Sequence, residues 1–144
     1  MRWNILLADD DLDDCIFFLD ALEDIDVSAN LITVNDGIQL MQLLTNTDQP
    51  LPHVLFLDLN MPRKNGFDCL SEIKTHHQLK ELPVIIFSTS LDADVVNQVI
   101  QSGATLYVRK PAEFSNLKKV IQKSLKLISD GQSTLLLDNF VVTP

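Results

Sequence analysis

The sequence predicts an α/β protein: a parallel β-sheet covered on both faces by helices. Two observations carry that expectation. Five short apolar segments alternate along the chain with longer amphipathic ones, which is the pattern of strand-helix-strand units that build a parallel sheet. Several of the short segments, such as Val54-Leu55-Phe56-Leu57 and Val84-Ile85-Ile86-Phe87, are apolar at every position. A strand with no polar face is buried on both sides.

Taken in order, the strand candidates are Trp3 to Ala8, Asn30 to Val34, Val54 to Leu57, Val84 to Phe87 and Thr105 to Val108. Between them, apolar residues recur at three- and four-residue steps, the spacing that places them on one helix face. The first helix offers Cys15, Phe18, Leu19 and Leu22, the second Ile38, Met41 and Leu44, and the third Phe67, Leu70 and Ile73. The fourth offers Val95, Val96, Val99 and Ile100, and the fifth a stripe of Phe114, Leu117, Ile121, Leu125 and Ile128. Turn residues fall at the joins. Asp36-Gly37 opens the second helix, Pro83 precedes a strand, Gly103 ends the fourth helix and Asp130-Gly131 ends the fifth.

The chain of 144 residues fits one domain with a proper core. No apolar run approaches the roughly 20 residues that cross a bilayer, and the N-terminal run Ile5 to Ala8 meets acids at once, unlike a signal peptide. A soluble, cytoplasmic protein with no membrane partner is expected. The net charge of −9 opposes nucleic-acid binding, which rewards clustered Lys and Arg. Cys15 and Cys69 lie far apart in apolar helical patterns and read as buried free thiols. His53, His76 and His77 lack the partners of a metal or catalytic site and read as structural or solvent-facing. After the fifth helix, Leu135-Leu136-Leu137 and Phe140-Val141-Val142 make the tail more apolar than a solvated terminus needs, so docking is expected.

In an open parallel sheet, ligands bind beyond the carboxyl ends of the strands. Strand one runs into Asp9-Asp10-Asp11, strand three into Asp58, strand four into Ser88-Thr89-Ser90 and strand five into Arg109-Lys110-Pro111. Acids, hydroxyls and a lysine therefore converge. Asp11, Asp13 and Asp14 lie on or beside the first helical turn, where acids complement the helix N-terminus. Asp9, Asp10 and Asp58 are left to repel one another unless a cation sits among them, and Mg²⁺ with its preference for oxygen ligands suits the set. Asp10 and Asp58 would supply carboxylates and Asn60 its backbone carbonyl. An aspartate can act as a nucleophile towards phosphorus, forming an acyl phosphate. Mg²⁺, Lys110 and the Ser88 hydroxyl would each neutralise one phosphoryl oxygen on Asp58.

With those residues identified, the chain resembles the receiver domains of two-component response regulators. The resemblance rests on Ile5-Leu6-Leu7-Ala8-Asp9-Asp10-Asp11, on Val54 to Pro62 with Gly66, on Pro83 to Ser90, and on Tyr107-Val108-Arg109-Lys110-Pro111. It implies a flavodoxin-like (βα)5 three-layer sandwich with strand order 2-1-3-4-5, a receiver domain over residues 1–129 and a C-terminal tail over 130–144 docked on the domain or on a partner. By position it implies phosphorylation of Asp58 by a sensor histidine kinase or a histidine phosphotransfer protein. It also implies Mg²⁺ on Asp9, Asp10, Asp58 and the Asn60 carbonyl, and phosphoryl binding by Ser88, Thr89 and Lys110. Ser88 and Tyr107 take the positions of the conformational switch. The output expected is a downstream protein target, or a homodimer, on the face of helix 4, strand 5 and helix 5.

Other readings fit less well. A phosphatase of the haloacid-dehalogenase type wants a second aspartate where Asn60 stands, and a flavin-binding domain wants a hydroxyl- and glycine-rich phosphate loop where the acids stand. A degenerate receiver used only for docking would not be expected to retain the whole acid, hydroxyl and lysine set.

Overall fold

The computed structural model describes residues 2–131 and 140–144. The chain alternates β1 (Trp3–Ala8), α1 (Leu12–Glu23), β2 (Ala29–Val34), α2 (Gly37–Leu44), β3 (Val54–Leu57), α3 (Gly66–Thr75), β4 (Val84–Ser88), α4 (Ala93–Gln101), β5 (Leu106–Arg109), α5 (Phe114–Ser129) and β6 (Val141–Val142). All pairings are parallel. The order β2-β1-β3-β4-β5-β6 contains the expected 2-1-3-4-5 arrangement and adds a sixth strand. This is the flavodoxin-like fold. The addition comes from the apolar tail: Val141 and Val142 pair with Tyr107 and Val108 on the outer edge of β5. Leu135, Leu136 and Leu137 lie outside the described residues.

The period of two along each strand divides the core into two layers. Ile5 and Leu7, Val54 and Phe56, Ile85 and Phe87, and Leu106 and Val108 face α1 and α5. Leu6 and Ala8, Leu55 and Leu57, Val84 and Ile86, and Tyr107 face α2, α3 and α4. In the first layer Phe18 is fully buried and meets Phe56 and Phe87 edge-on, with ring centroids 5.0 and 5.6 Å away. Such offset aromatic contacts add to what area burial alone contributes.

Two helix-face expectations need correction. Leu19 and Ile38 are both exposed; the sheet-facing positions are Cys15, Phe18, Ala21 and Leu22 in α1 and Gly37, Leu40, Met41 and Leu44 in α2. Both misplaced residues satisfy a three- or four-residue step but sit at the rim of the apolar stripe, where periodicity cannot separate buried from exposed. Strand limits shift slightly: β2 begins at Ala29, β4 extends to Ser88 and β5 spans Leu106–Arg109. Among the described residues no helix is long and apolar enough to cross a membrane.

Every helix from α1 to α4 starts with a side-chain cap. Asp11, Asp36, Asn65 and Asp92 accept hydrogen bonds from backbone N–H groups of the first turn, each satisfying donors that the helix leaves open. His53 and His76 have local structural roles, accepting backbone N–H groups of Asn4 and Gln78 through Nδ1.

Cys15 and Cys69 are free and buried, and burial pushes both thiols up to about 11. Both folded values lie above the unfolded one. The unfolded chain therefore ionises first, and stability falls as pH rises from about 8.5 to 11, by roughly 3 kcal/mol per thiol. Urea midpoints measured across that window should decline more steeply for the wild type than for a Cys15→Ala, Cys69→Ala double variant.

Candidate functional site

The backbone ladder at the carboxyl edge of the sheet sets the acids side by side. Ala8 and Leu57 are register partners, so the next residues, Asp9 and Asp58, are neighbours. The Asp9 N–H donates to Val34 O at 3.0 Å and the Asp58 N–H to Ala8 O at 2.9 Å. The Asp9 carbonyl is held in turn by the Cys15 thiol at 3.6 Å and by Asn35 Nδ2 at 3.2 Å. On the far side, the Lys110 N–H donates to Ser88 O at 2.8 Å, which fixes where the lysine leaves β5.

Lys110 reaches back across the sheet into the acids. Its Nζ lies 2.9 Å from Asp9 Oδ2, 2.9 Å from Asp14 Oδ2 and 3.3 Å from Asp58 Oδ2, and it stands 5.5 Å from the centre of the Phe87 ring. Asp9 is completely buried and Asp58 nearly so, whereas Asp10 is exposed at the mouth. One carboxylate oxygen from each of these three acids lies within 4.8 Å of the others. Asp9 Oδ1 accepts the Asp11 N–H at 3.0 Å. Asp9 Oδ2 is buried, and its partner is the Lys110 ammonium at 2.9 Å.

These contacts determine the charges. Burial pushes the Asp9 carboxyl up to about 6, against the pull of Lys110 and the Asp11 N–H, with the charge of Asp58 adding to the rise. Burial alone would disfavour the charge on Lys110, but Asp9, Asp14 and Asp58 outweigh it and hold the ammonium above the ordinary lysine range. The cluster is an acidic pocket with one fixed cation.

The loop after Asp58 is shaped by close approach. The Asn60 N–H donates to Asp58 Oδ1 at 3.3 Å. Arg63 takes a left-handed conformation (φ 67°), and the chain returns so that Gly66 lies against the Asp58 backbone. A Cβ on Gly66 would stand 2.2 Å from Asp58 O and 2.7 Å from Leu59 Cα. Only glycine fits there.

The remaining expected residues are arranged around this centre. Ser88 ends β4 and is buried, its Oγ accepting the Ser90 N–H at 3.3 Å. The Thr89 side chain is exposed. Tyr107 is fully buried on the α4 side of the sheet and donates its hydroxyl to Ser90 O. Burial raises its pKa above the ordinary tyrosine value. Asp14 is the residue that sequence reasoning left out. It sits in the first turn of α1, as expected, but also pairs with Lys110. Its signal was the spacing of one helical turn from Asp11, which aims it back over the strand ends.

Residues 5–122 match the model of the response regulator receiver domain. Response regulator Rcp1 of Synechocystis is 31% identical over 122 residues, covering 82% of this chain and 83% of that protein. The crystal structure of the phosphorylated cyanobacterial phytochrome response regulator RcpA superposes with a TM-score of 0.80 at 30% identity, over 94% of this chain and 99% of that one. The Mn²⁺-bound form of Rcp1 superposes with a TM-score of 0.77 at 29% identity, over 94% and 98%. The chain belongs to the response regulator receiver domain family.

Gly66→Ala is expected to destabilise the protein by about 1–3 kcal/mol, because the added methyl meets backbone that must move. A urea titration measures the loss. Since the atoms displaced belong to Asp58 and Leu59, the Asp58 and Asn60 amide resonances should shift more than those of α5.

Proposed function

We propose that Asp58 accepts a phosphoryl group from a histidine kinase or a histidine phosphotransfer protein, and that the domain signals to protein partners by the resulting change of conformation. The observation that carries this reading is the convergence of the Asp9 and Asp58 carboxylates within 3.3 Å of the Lys110 ammonium at the strand ends. Family membership supports it, since receiver domains of response regulators are phosphorylated by histidine kinases.

The donor set fits Mg²⁺. Three carboxylate oxygens converge, one of them from the fully buried Asp9, and all are hard oxygen ligands. Asp9, Asp10, Asp58 and the Asn60 carbonyl would hold the ion. Bound there, it supplies positive charge to offset that of a phosphoryl group among acids. The Mn²⁺-bound form of Rcp1 supports a divalent cation in this family.

The chain's own residues do the rest. The Asp58 carboxylate, oriented by the Asn60 N–H, attacks phosphorus as the bond to the donor's imidazole nitrogen breaks. Lys110 is already charged and placed, so it stabilises the transferred group without reorganising. Ser88 can donate its hydroxyl to a phosphoryl oxygen once the group is present, and Thr89 stands at the rim. That hydroxyl would draw on the Ser88–Ser90 turn and, through it, on Tyr107. Output would then leave by α4, β5 and α5, where a target or a second copy also meets β6. Free buried cysteines are consistent with a cytoplasmic setting.

Incubation with acetyl phosphate and Mg²⁺ should give an acid-stable, hydroxylamine-labile adduct on the wild type and none on Asp58→Asn. Equal labelling of the two proteins would sink the assignment. Lys110→Met is expected to slow labelling about 10–100-fold, since it removes a preorganised charge at the transferred group.

A further inference from the structure

The phosphoryl chemistry makes no use of Phe140 to Thr143, yet these residues lie on the side chain best placed to report it. Val141 pairs with Tyr107 and Val142 with Val108. The Phe140 ring is 6.4 Å from the Tyr107 ring, and Phe140 is only 5% exposed. Lys123 of α5 donates to Thr143 O at 2.8 Å, a third attachment for the same segment. Behind this cover the Tyr107 hydroxyl is bonded to Ser90 O, and the Ser90 N–H to Ser88 Oγ. A continuous line of contacts therefore runs from Ser88, at the end of β4, to the tail.

We propose that residues 140–144 form an intramolecular latch on β5, whose docking weakens when Asp58 carries a phosphoryl group. The proposal rests on the reading of Asp58 as the acceptor. Drawing the Ser88 hydroxyl towards a phosphoryl oxygen strains its bond with the Ser90 N–H, which at 3.3 Å is already long. The Ser90 carbonyl moves with that turn. Tyr107 is fully buried beside Phe140, so water cannot replace the Ser90 carbonyl when the hydroxyl loses it. Lifting Phe140 and β6 lets the hydroxyl find water and frees the outer edge of β5. Docked tail and phosphorylated Asp58 thus oppose each other, and the coupling must be reciprocal.

The test is hydrogen exchange on the full chain with Mg²⁺, with and without beryllofluoride as the phosphoryl mimic, while ¹⁹F resonance reports occupancy separately. With fluoride bound, amides of residues 140–143 should exchange at least tenfold faster while those of α3 are unchanged. Phe140→Ser should exchange fast in this segment without the mimic and bind beryllofluoride more tightly by the same factor. Unchanged or slower exchange in a wild type that shows bound fluoride would overturn the latch. Absence of any bound fluoride would overturn the reading of Asp58, and the latch with it.

Discussion

One ammonium holds the carboxyl edge of this protein together. Three carboxylates, two just past the ends of β1 and β3 and one from α1, converge on Lys110 Nζ, and without it they would repel across a few ångströms. The lysine arrives from β5, so the pairing ties the two halves of the sheet through charge as well as through the strand ladder. Its Nζ also lies over the Phe87 ring, 5.5 Å from the centroid. Asp9 still bears the strain of the arrangement. Its carboxyl is pushed up to about 6 because one lysine cannot fully compensate complete burial.

Parallel topology explains why so many acids gather there. All strands point the same way, so helices α1 to α4 begin at the same edge, and each wants a short polar cap. Asp11, Asp36 and Asp92 meet that need. Asp9, Asp10 and Asp58 do not cap a helix through their side chains, which sets them apart from the background of capping acids. The same division accounts for Asp14, which complements the helix N-terminus with its charge and gives one oxygen to Lys110.

The sequence made the sheet and the site edge legible because each follows from a local rule, whereas the strand order followed from the resemblance to receiver domains. Continuous apolar runs mark strands buried on both faces, and the residue after each run must lie at the carboxyl edge. What it could not reveal were features set by tertiary contact. Leu19 and Ile38 match helical spacing but miss the sheet, because the width of the buried stripe depends on how each helix packs. Asp14 looked like a helix-end acid because its partner lies 96 residues away. The register that lays Val141 on Tyr107 likewise depends on how the end of the chain returns to the sheet, although the apolar character of Phe140-Val141-Val142 was visible.

The sixth strand also bears on how the folded protein avoids sticking to itself. Without it, β5 would present a row of unpaired backbone groups flanked by apolar side chains, a template on which any extended chain could add. With it, the exposed edge on that side is only two residues long and is followed by Pro144 at the second position beyond it. Such short edges ending near a proline pair poorly. An event that lifts this strand would therefore create a signalling surface and an aggregation-prone edge at once, so rapid capture by a partner would protect the protein's solubility as well as transmit its message.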